Sequence, residues 1–152
     1  MSKARSLARK RAVQALYMWE MSNINLSDID QQFVLEHDMS KVDLKYFHEL
    51  LHKIPAHVDE IDNDIFGLLD RAFEEVDPVE RAVMRLGVYE LRYRPDIPYK
   101  VVINESVELA KTFGAEEGYK YVNSILDGVA KKLRAVEVKA RTAAKASTKS
   151  KD

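Results

Sequence analysis

No cysteine occurs among the 152 residues. Disulfides, thiolate metal sites and thiol nucleophiles are therefore excluded. Glycine (5) and proline (4) are scarce, so little in the chain breaks helices. No run of about 18 apolar residues offers a membrane span. The charged start lacks the apolar stretch of a secretory signal, so the cytoplasm is the expected location. Period-2 strand patterns are missing as well. Also absent are the glycine-rich phosphate loops and the G-x-S-x-G elbow. Together these absences point to a small helical chain without catalytic machinery or a cofactor.

What is present is segregated charge. The net charge of −1 conceals two basic ends on an acidic body. Residues 1–19 carry Lys3, Arg5, Arg9, Lys10 and Arg11 and no acid, and residues 131–152 carry eight Lys and Arg against Glu137 and Asp152. Basic blocks of this kind favour polyanions.

Three- and four-residue spacing of apolar side chains predicts about seven helices. The first, over 5–21, has the stripe Leu7, Ala8, Ala12, Ala15, Leu16 and Trp19. Cations at its first turns oppose the helix dipole, a feature that suits binding better than stability. The second starts at Ser27 as N-cap. The third, from Asp43, carries Phe47, Leu50, Leu51 and Ile54 up to Pro55. The fourth covers 57–73 despite Gly67. The fifth has Asp77 as N-cap, Pro78 at its first position and Glu80 to complete a capping box; Arg81, Arg85 and Arg92 fall outside its apolar face. A sixth helix runs to Gly114 as a C′ glycine, and a seventh covers 116–133. Beyond Val136 periodicity ends, which predicts one domain over 1–135 and a disordered basic tail over 136–152.

Two constellations invite a chemical reading. His48-Glu49-Leu50-Leu51-His52 fits the H-E-x-x-H zinc pattern, with both imidazoles on one helix face. The third ligand is the difficulty. His57 lies beyond Pro55, and Glu74 and Glu75 are the remaining choices. The pattern also recurs by chance in unrelated chains, so no resident metal is expected. Asp59, Asp62 and Asp64 lack the glycine and terminal Glu of a calcium loop and read as a solvated acidic face. Nucleic-acid binding is the alternative. Arg5, Arg9, Lys10 and Arg11 supply phosphate contacts, and Tyr17, Tyr119 and Tyr121 are aromatic faces for bases or, equally, for the core.

Four segments carry a family likeness. Arg11-Ala12-Val13-Gln14-Ala15-Leu16-Tyr17 resembles the opening helix of the NusB transcription antitermination family, and the stretch from Glu80 to Leu91 resembles its central helix. The segments Val101–Gly114 and Tyr121–Asp127 resemble its two C-terminal signatures. The resemblance implies an all-α fold of two small packed helical bundles. It implies binding of boxA RNA in ribosomal RNA leader transcripts together with ribosomal protein NusE, on an RNA polymerase elongation complex protected from Rho-dependent termination. By position, Lys3, Arg5, Arg9, Lys10, Arg11 and Tyr121 would meet RNA, and Tyr17 and Glu80 would meet NusE. A related possibility is the helical RNA-recognition domain appended to certain ribosomal RNA methyltransferases, acting here with a separate enzyme subunit.

Overall fold

The computed structural model describes residues 2–150, with side chains described through residue 147. Among the described residues there are eight α-helices and no strand. They are α1 (Lys3–Met21), α2 (Leu26–Glu36), α3 (Leu44–Ala56), α4 (Val58–Phe66), α5 (Pro78–Tyr93), α6 (Tyr99–Phe113), α7 (Gly118–Leu133) and α8 (Ala135–Ser150), with a 3-10 turn at Phe73–Glu75. Helices α1–α3 pack as one bundle and α4–α7 as another, with α5 touching both.

Side-chain caps set four of the starts. Ser2 Oγ accepts from the Arg5 N–H, Asp43 from Tyr46, and Asp77 from Val79 and Glu80. These caps satisfy donors that a helix start leaves orphaned. Helix α2 begins earlier than its sequence suggests, because Asn25 Oδ1 accepts the Asp28 N–H at 2.9 Å and Asn25, not Ser27, is the cap. Helix α4 ends at Phe66, at Gly67, rather than near residue 73. Gly114 is extended (φ −84°, ψ 177°), not left-handed; the left-handed residue is Glu117 (φ 71°).

Helix α5 is the hub. Its residues from Glu80 to Leu91 are all buried, so it lacks the polar face expected for Arg81 and Arg85. Both arginines are paired instead. Arg85 binds Asp62 through two bonds of 2.8 and 2.9 Å, and Arg81 Nε donates to Glu20 at 2.8 Å. Asp64 takes Arg92 in the same two-pronged way. The acidic cluster of α4 is therefore not simply solvated: Asp62 and Asp64 fasten α4 to α5, and Asp59 alone of the three is exposed. Where α5 ends, buried Arg134 donates to the carbonyls of Leu91, Glu90 and Arg94. A guanidinium there satisfies the last acceptors of the helix and complements its dipole.

The basic segment after Val136 takes helical form as α8, in place of the irregular tail anticipated; Lys151 and Asp152 lie outside the described residues. Its Ala and Lys content favours helix. Its first turn is tied down by Glu137, which accepts from Arg134 and from the Tyr99 N–H.

Gly87 sits where α5, α6 and α7 converge. A Cβ there would lie 2.7 Å from Leu126 and 2.9 Å from Ser106 Oγ. Gly87→Ala is expected to lower unfolding free energy by about 1–3 kcal/mol, since overpacking outweighs the propensity gain. Urea unfolding followed by CD measures it.

Candidate nucleic-acid interface

The leading helix lies antiparallel to α5. Arg9 pairs with Glu90 near one end, and Glu20 pairs with Arg81 near the other. At the first end Lys3 is exposed, and Arg5, Lys10 and Arg11 are half-buried. Arg5 lies over the Tyr46 ring at 4.5 Å and lines a polar depression with Lys45 and Arg94. Exposed Lys45 adds a cation that the sequence pattern did not single out. Arg11 reaches Gln14 Oε1 at 3.0 Å.

Arg9 departs from the expected phosphate contact. It is 1% exposed, its Nε lies 2.8 Å from the fully buried Glu90, and its Nη1 lies 3.4 Å from Glu105. Its position explains this. Arg9 falls on the stripe that continues through Ala12, Val13 and Leu16, so its side chain enters the core. Removing one partner of such a pair leaves a buried charge uncompensated. The Tyr46 hydroxyl also donates to Glu90. Burial pushes the Glu90 carboxyl above the ordinary range, while Arg9 and Tyr46 pull it back.

The other expected site residues gather at the opposite end of α5. Arg81 and Glu90 stand about 14 Å apart along that helix. Tyr17 is 40% exposed and lines an apolar groove of about 470 Å³ with Val13, Met21, Phe33, Val79 and Phe113. Glu80, the second residue assigned to a partner, is only 6% exposed. Its carboxylate faces the loop between α6 and α7, where a Cβ on Gly118 would lie 2.5 Å from Oε2, so it does not turn back to close a capping box. Burial, and then the Asp77 charge, raise its pKa.

Tyr121 is half-buried beside that loop. Its hydroxyl accepts from the Asp70 N–H at 3.3 Å, and the Arg71 guanidinium covers its ring at 4.4 Å. Arg71 is a second cation that no sequence pattern singled out. The concavity around Tyr121 also contains Glu75, Asp77, Glu80, Glu116 and Glu117. The structure therefore keeps Tyr121 with Glu80, apart from the cations of α1.

In the H-E-x-x-H segment the two histidines share a partner: Asp30 Oδ2 lies 2.8 Å from His48 Nδ1 and 2.7 Å from His52 Nε2. Glu49 leaves that face, accepting from the Tyr89 hydroxyl at 2.8 Å and from Arg94 Nη1 at 3.0 Å. His57 packs against Tyr93, with the rings tilted by 33° and their centroids 4.7 Å apart. The general base of a zinc hydrolase is thus turned away from the imidazoles, and the His57 ring is engaged elsewhere.

Comparison with known proteins places this geometry. The NusB family model matches residues 6–131. The transcription antitermination protein NusB of Alcanivorax borkumensis is 49% identical over 138 residues, covering 91% of this chain and 92% of the relative. NusB of Pseudomonas fluorescens Pf0-1 is 51% identical over 139 residues, covering 91% and 84%. The solved structure of T. maritima NusB superposes with a TM-score of 0.73 at 32% identity, covering 86% of this chain and 93% of that one. Fold and relatives together define a helical transcription antitermination protein. The chain belongs to the NusB family.

Two outcomes follow from the buried pairs. Arg9→Ala is expected to cost about 3–5 kcal/mol of stability. Lys10→Ala, on the same turn but outside the core, should stay within about 0.5 kcal/mol. Parallel denaturant melts separate them. The second outcome concerns alkali. Burial first, and Glu90 or Glu49 next, raise the pKa values of Tyr46 and Tyr89; burial and Glu60 push Tyr93 up to about 12. In the unfolded chain all three ionise near pH 10, so above about that pH the unfolded state binds fewer protons and stability falls. Below it their contribution is fully present. Ultraviolet titration should show these rings ionising late, together with a falling melting temperature.

Proposed function

We propose that this chain is an antitermination factor that binds boxA-type RNA together with ribosomal protein NusE. The pair would join the RNA polymerase elongation complex in the cytoplasm and reduce Rho-dependent termination. The observation that carries the reading is the acid-free start of α1, held against α5 by the buried Arg9–Glu90 pair. Lys3, Arg5, Lys10 and Arg11 then serve as phosphate contacts at fixed positions. Arg9 acts through the core and orients its neighbours.

The apolar groove around Tyr17 is the surface we assign to NusE. Its aromatic and methionine lining suits a protein partner more than a polyanion. Glu80 supports that end from beneath by bracing the loop between α6 and α7. Tyr121 would stack on a base only after Arg71 moves from its ring, and an RNA strand reaching both Lys10 and Tyr121 must span the length of α5 over the elements that cover it.

The test is an anisotropy titration of boxA and scrambled RNA at several salt concentrations, with and without NusE. The expected results are preference for boxA, tighter binding with NusE and a negative salt dependence. The triple substitution Lys3→Ala, Lys10→Ala and Arg11→Ala should flatten the log–log salt slope by about 0.7 for each phosphate no longer neutralised. Equal affinity for both RNAs in every condition would overturn the reading.

A further inference from the structure

We propose that Asp30, His48 and His52 form a binding site for a zinc-class divalent cation that fastens α2 to α3. Three donors converge there. Asp30 Oδ2 already lies 2.8 and 2.7 Å from the two imidazole nitrogens, and the three ligand atoms all lie within 4.8 Å of one another. A tetrahedral zinc ion with bonds near 2.0–2.1 Å holds its donors about 3.4 Å apart, so Asp30 must draw back slightly from both nitrogens and the two imidazoles must settle to the same spacing. His48 and His52 stand one helical turn apart on α3, which aims both rings the same way. Asp30 comes across from α2.

The donor chemistry selects the ion. Two imidazoles and one carboxylate suit zinc and its transition-metal neighbours and not magnesium or calcium, which take oxygen ligands. Both histidines are about two-fifths exposed, so the site opens to solvent and water completes the coordination. The three donors lie outside the α1 cations and the Tyr17 groove assigned above.

The site is structural in character. Glu49, which would activate a zinc-bound water in a hydrolase, is bonded to Tyr89 and Arg94. Helix α2 has the most to gain, because only Ile29 and Phe33 of its residues are buried. An ion bound by the folded arrangement and not by the unfolded chain raises stability by mass action.

The experiment strips the full-length protein with a chelator and titrates it with Zn²⁺ by calorimetry, with Co²⁺ absorbance reporting coordination geometry. Saturation at a single equivalent, tetrahedral Co²⁺ bands displaced by Zn²⁺, and a raised melting temperature are expected. Asp30→Asn and His52→Ala should each weaken binding by at least about tenfold, and His57→Ala should leave it unchanged. Should a variant fold poorly, amide exchange in the wild-type protein gives a second reading: Zn²⁺ should slow exchange in α2. No saturable binding, affinity indifferent to Asp30 and His52, or α2 exchange unaffected by the ion would each overturn the proposal and leave adventitious surface binding only.

Discussion

A charge buried without a partner is among the most costly things a small protein can contain, and Glu90 would be one without Arg9. That pair joins the first helix to the central one across most of the sequence. Tyr46 of α3 adds its hydroxyl to the same carboxylate, so three helices meet at one point. Arg81 and Arg85 on α5 hold Glu20 at the far end of α1. With both ends fixed, α1 has one register against α5. Lys3 and the half-buried Arg5, Lys10 and Arg11 inherit that register.

The same constraint accounts for which parts of the molecule were legible in the sequence. The first seven helices and their order, the Asp77–Pro78 start and the cap at Asp43 follow from local spacing and capping chemistry, and the structure has them; α8 did not follow. Family membership also followed from four short segments, each of which supplies core positions of one helix. The ends of α2 and α4 did not follow. Ser27 and Asn25 are both good caps, and Gly67 competes with a stripe that continues into Leu68 and Leu69.

The harder errors all concern charged residues. Local periodicity marks Arg81 and Arg85 as polar-face residues, yet α5 is enclosed on every side and its arginines meet carboxylates from α1 and α4. Arg9 was legible in principle, since it shares a face with Ala12, Val13 and Leu16, but its buried partner lies 81 residues away. The same holds for Asp30, whose relation to His48 and His52 exists only once α2 packs on α3. Long-range pairing of unlike charges leaves almost no mark on a single sequence. In this protein it decides which cations belong to the core and which remain for a ligand.

Helix α5 is sheathed along nearly its whole length, whereas α2 rests on two buried side chains. Backbone amides in the first escape to solvent only when the whole domain comes apart; those in the second need only a local detachment. The molecule therefore has a slow clock at its centre and a fast one at its margin. The fast one borders the apolar groove, to which Phe33 and His37 contribute. The groove's width is accordingly set by a helix held to the rest of the fold far more lightly than α5.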